Sequence, residues 1–338
     1  MSRSHFTLDH GAIRRNARRL ADVAGGAELW AVVKADGYGH GAADVARAAL
    51  DGGASALCVA TVSEALELRQ VLREPRLLVL GPVAEEELGA AREARLEVAV
   101  GSGRVPENVP VHLKLDTGMG RWGFYELPSP THDVVGLMSH FASSETDPEF
   151  TRLQLSRFLE ATAPYAHLTR HVANSAAALG TPDARLDAVR CGIALYGISP
   201  FGDAPAAHGL EPALRWTSEL AQVKLLQPGE STGYGRRFVA EQPTWLGIVP
   251  VGYADGFRRD MSETGVLVAG ERRRVVGTVS MDALAVELDC ELTVGEEVVL
   301  LGDGVLAEDH ARIAGTIPYE IVCGLNTQAP RAHREVVE

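Results

Sequence analysis

The 338-residue chain is poor in cysteine, and its four cysteines, Cys58, Cys191, Cys290 and Cys323, are scattered without a Cys-x-x-Cys pair. That spacing excludes a disulfide framework and a thiolate zinc site, and the four read as small core residues of a reducing compartment. Cationic charge is also short, since 32 Lys and Arg against 45 Asp and Glu leave a formal net charge of -13. Nucleic acids and anionic membranes call for a basic face, so neither is an expected partner. Any anionic ligand must be gripped by a local cluster of positive groups. No run approaches the ~20 apolar residues of a membrane span. Residues 1–9 lack an apolar signal core, and the expected location is cytoplasmic. Internal repeats and low-complexity tracts are absent too. Ser175 has no Gly-x-Ser-x-Gly elbow and the histidines lack metal spacing, so no metal is expected.

What is present is an ordinary apolar fraction, 46%, on a chain long enough for two domains. Short apolar runs at 29–33, 56–60, 77–80 and 96–100 alternate with helix-patterned segments at 42–50, 63–72 and 85–94. Such alternation predicts parallel strands with crossover helices. After about residue 212 the pattern changes to strands separated by glycine turns, at 245–251, 265–268, 275–279, 283–288 and 297–301, which predicts an antiparallel β domain. The expected division is therefore 1–212 and 213–338, linked through 205–212. The α/β half fits either a doubly wound sheet or a closed (β/α)8 barrel, and periodicity does not separate them. Residues 102–110 and the proline-rich 123–133 are too short for full crossovers of ~10 to 12 residues with a helix, so the outer wall is expected to be thin there.

Lys34 ends the first apolar run, and a turn punctuated by Gly37, Gly39 and Gly41 follows. An ammonium at the end of a buried strand is costly and suits a Schiff-base lysine, although a solvent-facing strand end accommodates a lysine equally well. The glycine spacing departs from the Gly-x-Gly-x-x-Gly of dinucleotide sites, which place no lysine at the strand end.

Seven further segments accompany it: the run from His112 through Lys114 and Asp116 to Arg121, then Ser139-His140-Phe141-Ala142, Ala173-Asn174-Ser175-Ala176, Arg190-Cys191-Gly192-Ile193 on to Gly197, Gly233-Tyr234-Gly235, Gly252-Tyr253-Ala254-Asp255-Gly256 and Met281-Asp282. In these segments and their order the chain resembles the alanine racemases, pyridoxal-phosphate enzymes, from roughly Phe6 to Arg331. The resemblance implies a (β/α)8 barrel with a C-terminal β domain, conversion between L-alanine and D-alanine for peptidoglycan precursors, and a head-to-tail homodimer whose C-terminal domain completes the partner's site. It further implies that Lys34 carries pyridoxal 5'-phosphate, with Tyr38, Asn174, Ser175 and the backbone amides of Gly192 and Ile193 around the phosphate and Arg190 opposite the pyridine nitrogen. Ser175 also suits a helix N-cap before Ala176.

On the same resemblance, Lys34 and Tyr234 are the two bases, His140 and Arg190 are Tyr234's cationic neighbours, and Arg121 with the Met281 amide takes the substrate carboxylate. Tyr253 narrows the entrance, with core packing as its alternative role. Lys114 is the lysine carbamylated in some relatives. Thr327 stands where some members have a phosphate-contacting tyrosine, which predicts a weaker phosphate grip. Two other functions remain open: a racemase of broader range, taking serine or larger amino acids, and a non-catalytic pyridoxal-phosphate barrel, which would lack the second domain.

Overall fold

The computed structural model describes residues 3–338. After β1 (His5–Asp9), which pairs elsewhere, eight strands close on themselves: β2 (Glu28–Val32), β3 (Ala56–Val59), β4 (Arg76–Val79), β5 (Glu97–Val100), β6 (Val111–Lys114), β7 (Val134–Met138), β8 (Thr169–His171) and β9 (Ala188–Cys191). All neighbours are parallel, and β9 returns to β2 with Arg190 opposite Trp30. That last pairing decides what periodicity left open, because a doubly wound sheet keeps two free edges. The strands β3, β6 and β9 are buried along their whole length, as parallel strands covered on both faces are.

Helices Ala42–Asp51, Val62–Val71, Leu88–Glu93, Pro148–Thr162 and Ser175–Gly180 cross between strands. Their starts carry the signals that sequence provides. Thr61 and Glu64 form a reciprocal capping box, and Asp147 caps a helix that opens on Pro148. The connections from β5 to β6 and from β6 to β7 contain no helix, as their length predicts, and Trp122 and Tyr125 stand exposed on the second.

The second unit is a nine-stranded, mainly antiparallel sheet. Its core includes Phe6 stacked on Trp216 at 5.2 Å between ring centroids. A tight hairpin joins Gly265–Val268 to Glu271–Val276 through Ala269 and Gly270, both at positive φ, the geometry that two-residue hairpin turns favour. β1 sits inside this sheet, antiparallel to Leu214–Glu219 and parallel to His333–Val337. By contacts, one unit holds Ala12–Phe201 with Pro205–Glu211, and the other holds the segment through Gly11, Gly202–Ala204 and Pro212–Glu338.

Within the stretch 205–212, Glu211 exchanges two 2.8 Å hydrogen bonds with the buried Asn16 amide and groups with the barrel unit. One expectation is corrected. Of the cysteines, Cys58 and Cys191 are buried in strands, but Cys290 and Cys323 are exposed, and none of the four is disulfide-bonded. Cys290 stands between Asp289 and Glu291 beyond a strand end, and Cys323 closes the helix Pro318–Cys323, positions that local apolarity does not reveal.

Candidate active site

Lys34 stands just beyond β2 and opens a turn of unusual hand. Ala35, Asp36, Gly37 and Tyr38 all have φ between 49° and 61°. For L-residues this conformation costs about 1–2 kcal/mol each, so the surroundings must enforce it. Backbone bonds do part of this, with Gly37 N–H on the Val33 carbonyl at 2.9 Å and Gly41 N–H on Asp36 O at 2.8 Å. Two carboxylates do the rest. Asp36 Oδ1 accepts from Ala42 N–H at 2.9 Å, while Glu64 accepts from Ala35 N–H at 2.8 Å and Ala60 N–H at 2.7 Å. The capping glutamate of one helix therefore also clamps the backbone beside Lys34, a role with no signal in the sequence beyond the capping box itself.

Tyr38 is buried, its ring 4.9 Å from that of Tyr196, whose hydroxyl donates to Val32 O at 2.9 Å. Its own hydroxyl lies where a side chain on Gly192 would go: a Cβ there would come within 2.4 Å of Tyr38 Oη. The Gly192 N–H donates to Ser175 Oγ at 3.0 Å, with Ala194 N–H at 3.4 Å from the same oxygen. Two hydroxyls and the amides of Gly192 and Ala194 thus lie around Gly192, at the start of the short helix Ile193–Tyr196, a donor set suited to a phosphate. The helix cap is Asn174, whose Oδ1 accepts from Ala177 N–H at 3.0 Å, while Ser175 is the first helical residue and turns its hydroxyl to Gly192. The N-cap role expected of Ser175 is therefore Asn174's.

Arg190, on β9, is buried without a carboxylate. Nη1 donates to His171 O at 2.9 Å and to His171 Nδ1 at 2.5 Å, and Nη2 donates to Ser139 O at 2.7 Å, with Val172 O and His140 Nδ1 farther away at 3.3 and 3.4 Å. A guanidinium has five N–H groups, four of them on the two Nη atoms, so Nε–H is the one left for another acceptor. Burial pushes the Arg190 pKa down to about 10, which leaves it charged at neutral pH. Burial, and after it the charges of Arg190, Lys114, Arg121 and Lys34, hold His140 well below the ordinary histidine range, so it is neutral.

Lys114 and Arg121 both lie over Trp122, at 5.3 and 5.1 Å from its ring, and both border a cavity of about 380 Å³. Among the described residues neither forms an ion pair; the nearby Asp116 spends one carboxylate oxygen on the amides of Gly118, Met119 and Gly120. Burial first, then Arg190 and Arg121, push the Lys114 pKa down to about 8. Two cations without an ion-pair partner beside a cavity form an arrangement chemically suited to a carboxylate.

The remaining predicted residues belong to the second unit. Tyr234, Tyr253 and Met281 are all substantially exposed, and Tyr253 is not a core residue. Within that unit Ala254 N–H donates to Met281 O at 3.1 Å, and Asp255, fully buried, takes Gly252 N–H and Arg331, so the Tyr253 turn and Met281 are fixed together. Thr327 is buried. Sequence reasoning did not single out Glu64, Glu97 and His171, nor His112 except as part of the motif run. For His112 a signal exists, because positions 112 and 114 share one face of a strand.

The alanine racemase N-terminal domain family matches residues 8–200, and the alanine racemase C-terminal domain family matches residues 213–333. The chain is 40% identical to the alanine racemase of Lactiplantibacillus plantarum, over 98% of this chain and 97% of that one. It is 42% identical to that of Laribacter hongkongensis, over 98% of each. Among solved structures, alanine racemase from the D-cycloserine producing Streptomyces lavendulae superimposes with a TM-score of 0.92 at 36% identity, covering 100% of this chain and 98% of that one. The biosynthetic alanine racemase of Pseudomonas aeruginosa gives 0.92 at 35%, covering all of both chains.

Proposed function

The chain belongs to the alanine racemase family, and from that premise we propose how its own residues interconvert L-alanine and D-alanine. The observation that carries the proposal is the meeting of Tyr38, Ser175 and the Gly192 amide at one point of the barrel unit that also presents Lys34 and the Nε–H of Arg190. The residues fit pyridoxal 5'-phosphate: neutral donors for its phosphate, a donor that cannot accept for its ring nitrogen, and a lysine on a clamped turn. When bound, that cofactor supplies an electron-withdrawing ring that acidifies the substrate's α C–H.

Lys34 carries the cofactor and then moves the α-proton on one face. Tyr38, Ser175 and the amides of Gly192 and Ile193 hold the phosphate, with Asn174 capping the turn that presents Ser175. Arg190 would donate its Nε–H to the pyridine nitrogen; because arginine stays protonated and cannot accept, this residue would favour rapid return of the proton to the substrate's Cα over transamination. Tyr234 of the partner subunit is the acid-base group on the opposite face. A phenol of pKa near 10 needs cationic surroundings for this work. Arg190 supplies them; His140, being neutral, orients without adding charge. Arg121 and the backbone amide of the partner's Met281 take the substrate carboxylate, and the partner's Tyr253 narrows the approach. The enzyme so described is a cytoplasmic head-to-tail homodimer that provides D-alanine for cell-wall precursors.

The test is borohydride reduction of the cofactor-loaded protein followed by peptide mapping, together with D-alanine formation from L-alanine. The chain has only three lysines, Lys34, Lys114 and Lys224, so the map is unambiguous. Label on Lys34 with racemisation is the expected result, whereas label on Lys114 or Lys224, or no D-alanine, overturns the proposal.

A further inference from the structure

The barrel interior holds a polar chain that these roles leave unused. His171 on β8 and His112 on β6 are wholly buried, and Glu97 opens β5. Arg190 Nη1 lies 2.5 Å from His171 Nδ1, His171 Nε2 lies 2.8 Å from His112 Nδ1, and His112 Nε2 lies 2.8 Å from Glu97 Oε2. Arg76 then grips both oxygens of Glu97 at 2.8 and 3.1 Å.

The direction of every proton in this chain is forced. Arginine can only donate, so His171 Nδ1 must accept and carries no hydrogen. A neutral His171 then has its hydrogen on Nε2 and donates to His112 Nδ1, which leaves the His112 hydrogen on Nε2, aimed at the carboxylate. Burial lowers both histidine pKa values, so both rings are neutral. Burial pushes Glu97 up, but hydrogen bonds from His112 and Arg76 outweigh it and hold its pKa at about 2. The packing is built around the chain: Trp30 lies 4.5 Å from the His171 ring and 5.6 Å from the His112 ring. On β7, opposite His112, a Cβ on Gly136 would fall 2.2 Å from His112 Nδ1, so glycine there reserves the space of the imidazole.

We propose that Glu97, through His112 and His171, is a positioning residue for Arg190: a one-way series of hydrogen bonds ending on an anion locks both imidazoles as Nε2–H tautomers and fixes the guanidinium so that Nε–H alone faces the cofactor. The last clause rests on the role of Arg190 given above; the tautomers do not. Linked donors polarise one another in a low-dielectric interior, so removing the terminal anion loosens every member. A reversed series would point a hydrogen from His171 Nδ1 at Arg190 and displace it.

Neutron diffraction from the deuterated holoenzyme tests the lock directly. Deuterons on Nε2 of both His112 and His171, with bare Nδ1 atoms, are expected, and a deuteron on Nδ1 of either ring overturns the proposal whether or not the protein racemises alanine. Glu97→Gln and, independently, Gly136→Ala, which crowds His112 while leaving Glu97 and Arg190 in place, test the consequence. Each is expected to lower kcat by about 10- to 100-fold, the scale on which small misplacements act, with KM for alanine and cofactor affinity within about threefold. Folded variants with wild-type kcat, or with KM and cofactor affinity lost in step with kcat, count against it. If neither variant folds, the wild-type neutron map decides.

Discussion

Charge without a counter-charge marks this site at the level of single residues. Arg190 is surrounded by carbonyls and imidazoles, and Lys114 and Arg121 share one indole. Lys114 turns that arrangement into a measurable pH dependence. Its folded pKa is about 8 against an ordinary 10.5, so between those values the unfolded chain holds a proton that the folded chain has released. Folding stability contributed by this group therefore rises with pH across that window. Denaturant titrations at pH 7.5 and 9.5 are expected to show a gain for the wild type that Lys114→Met lacks. Equal pH dependence in the two proteins would remove the argument. The sequence identified Lys114 and Arg121 through their motif but not their lack of anionic partners, because Asp116, two positions from Lys114, is consumed by its own loop.

At the level of elements, the left-handed turn after Lys34 is held by a carboxylate from the next crossover helix. Glu64→Ala removes the capping box and the acceptor for Ala35 N–H together, and about 1–2 kcal/mol of stability is expected to go with it. The diagnostic readout is weaker retention of the cofactor on dialysis, since an ordinary cap far from the site would lower the melting temperature alone. The thin side of the barrel yields the other element-scale prediction. With no helix over 101–110 or 115–133, amide hydrogens of β5, β6 and β7 are expected to exchange faster than those of β2 and β3. Uniform protection around the barrel would contradict it. Segment lengths alone made this thin wall legible, whereas the left-handed turn was not, since Ala35 and Asp36 carry no preference for positive φ strong enough to read.

For the whole molecule, the proposed site needs two chains, with Lys34 and Tyr234 drawn from different copies. Lys34→Ala and Tyr234→Phe should each lose about 10² to 10⁴ in rate, the usual worth of one positioned acid-base group. Mixed and allowed to exchange subunits, they are expected to recover about a quarter of wild-type activity, since half the dimers are mixed and each of these has one intact site. No recovery, with exchange verified by a tag, would place both residues in one chain's site.

The sequence by itself determined the alternation of buried strands and helices, the change to antiparallel strands after about residue 212, the short connections and the ordered motifs, because all of these are local patterns. Tertiary structure alone decided the closure of β9 on β2, the placing of β1 in the other unit's sheet, the exposure of Cys290 and Cys323, and the company of Arg190. The series from Glu97 to Arg190 joins residues 15, 59 and 19 positions apart, on four strands. Only a closed barrel turns those strands inward toward a common interior, and no periodicity along the chain records which inward-facing side chains meet there.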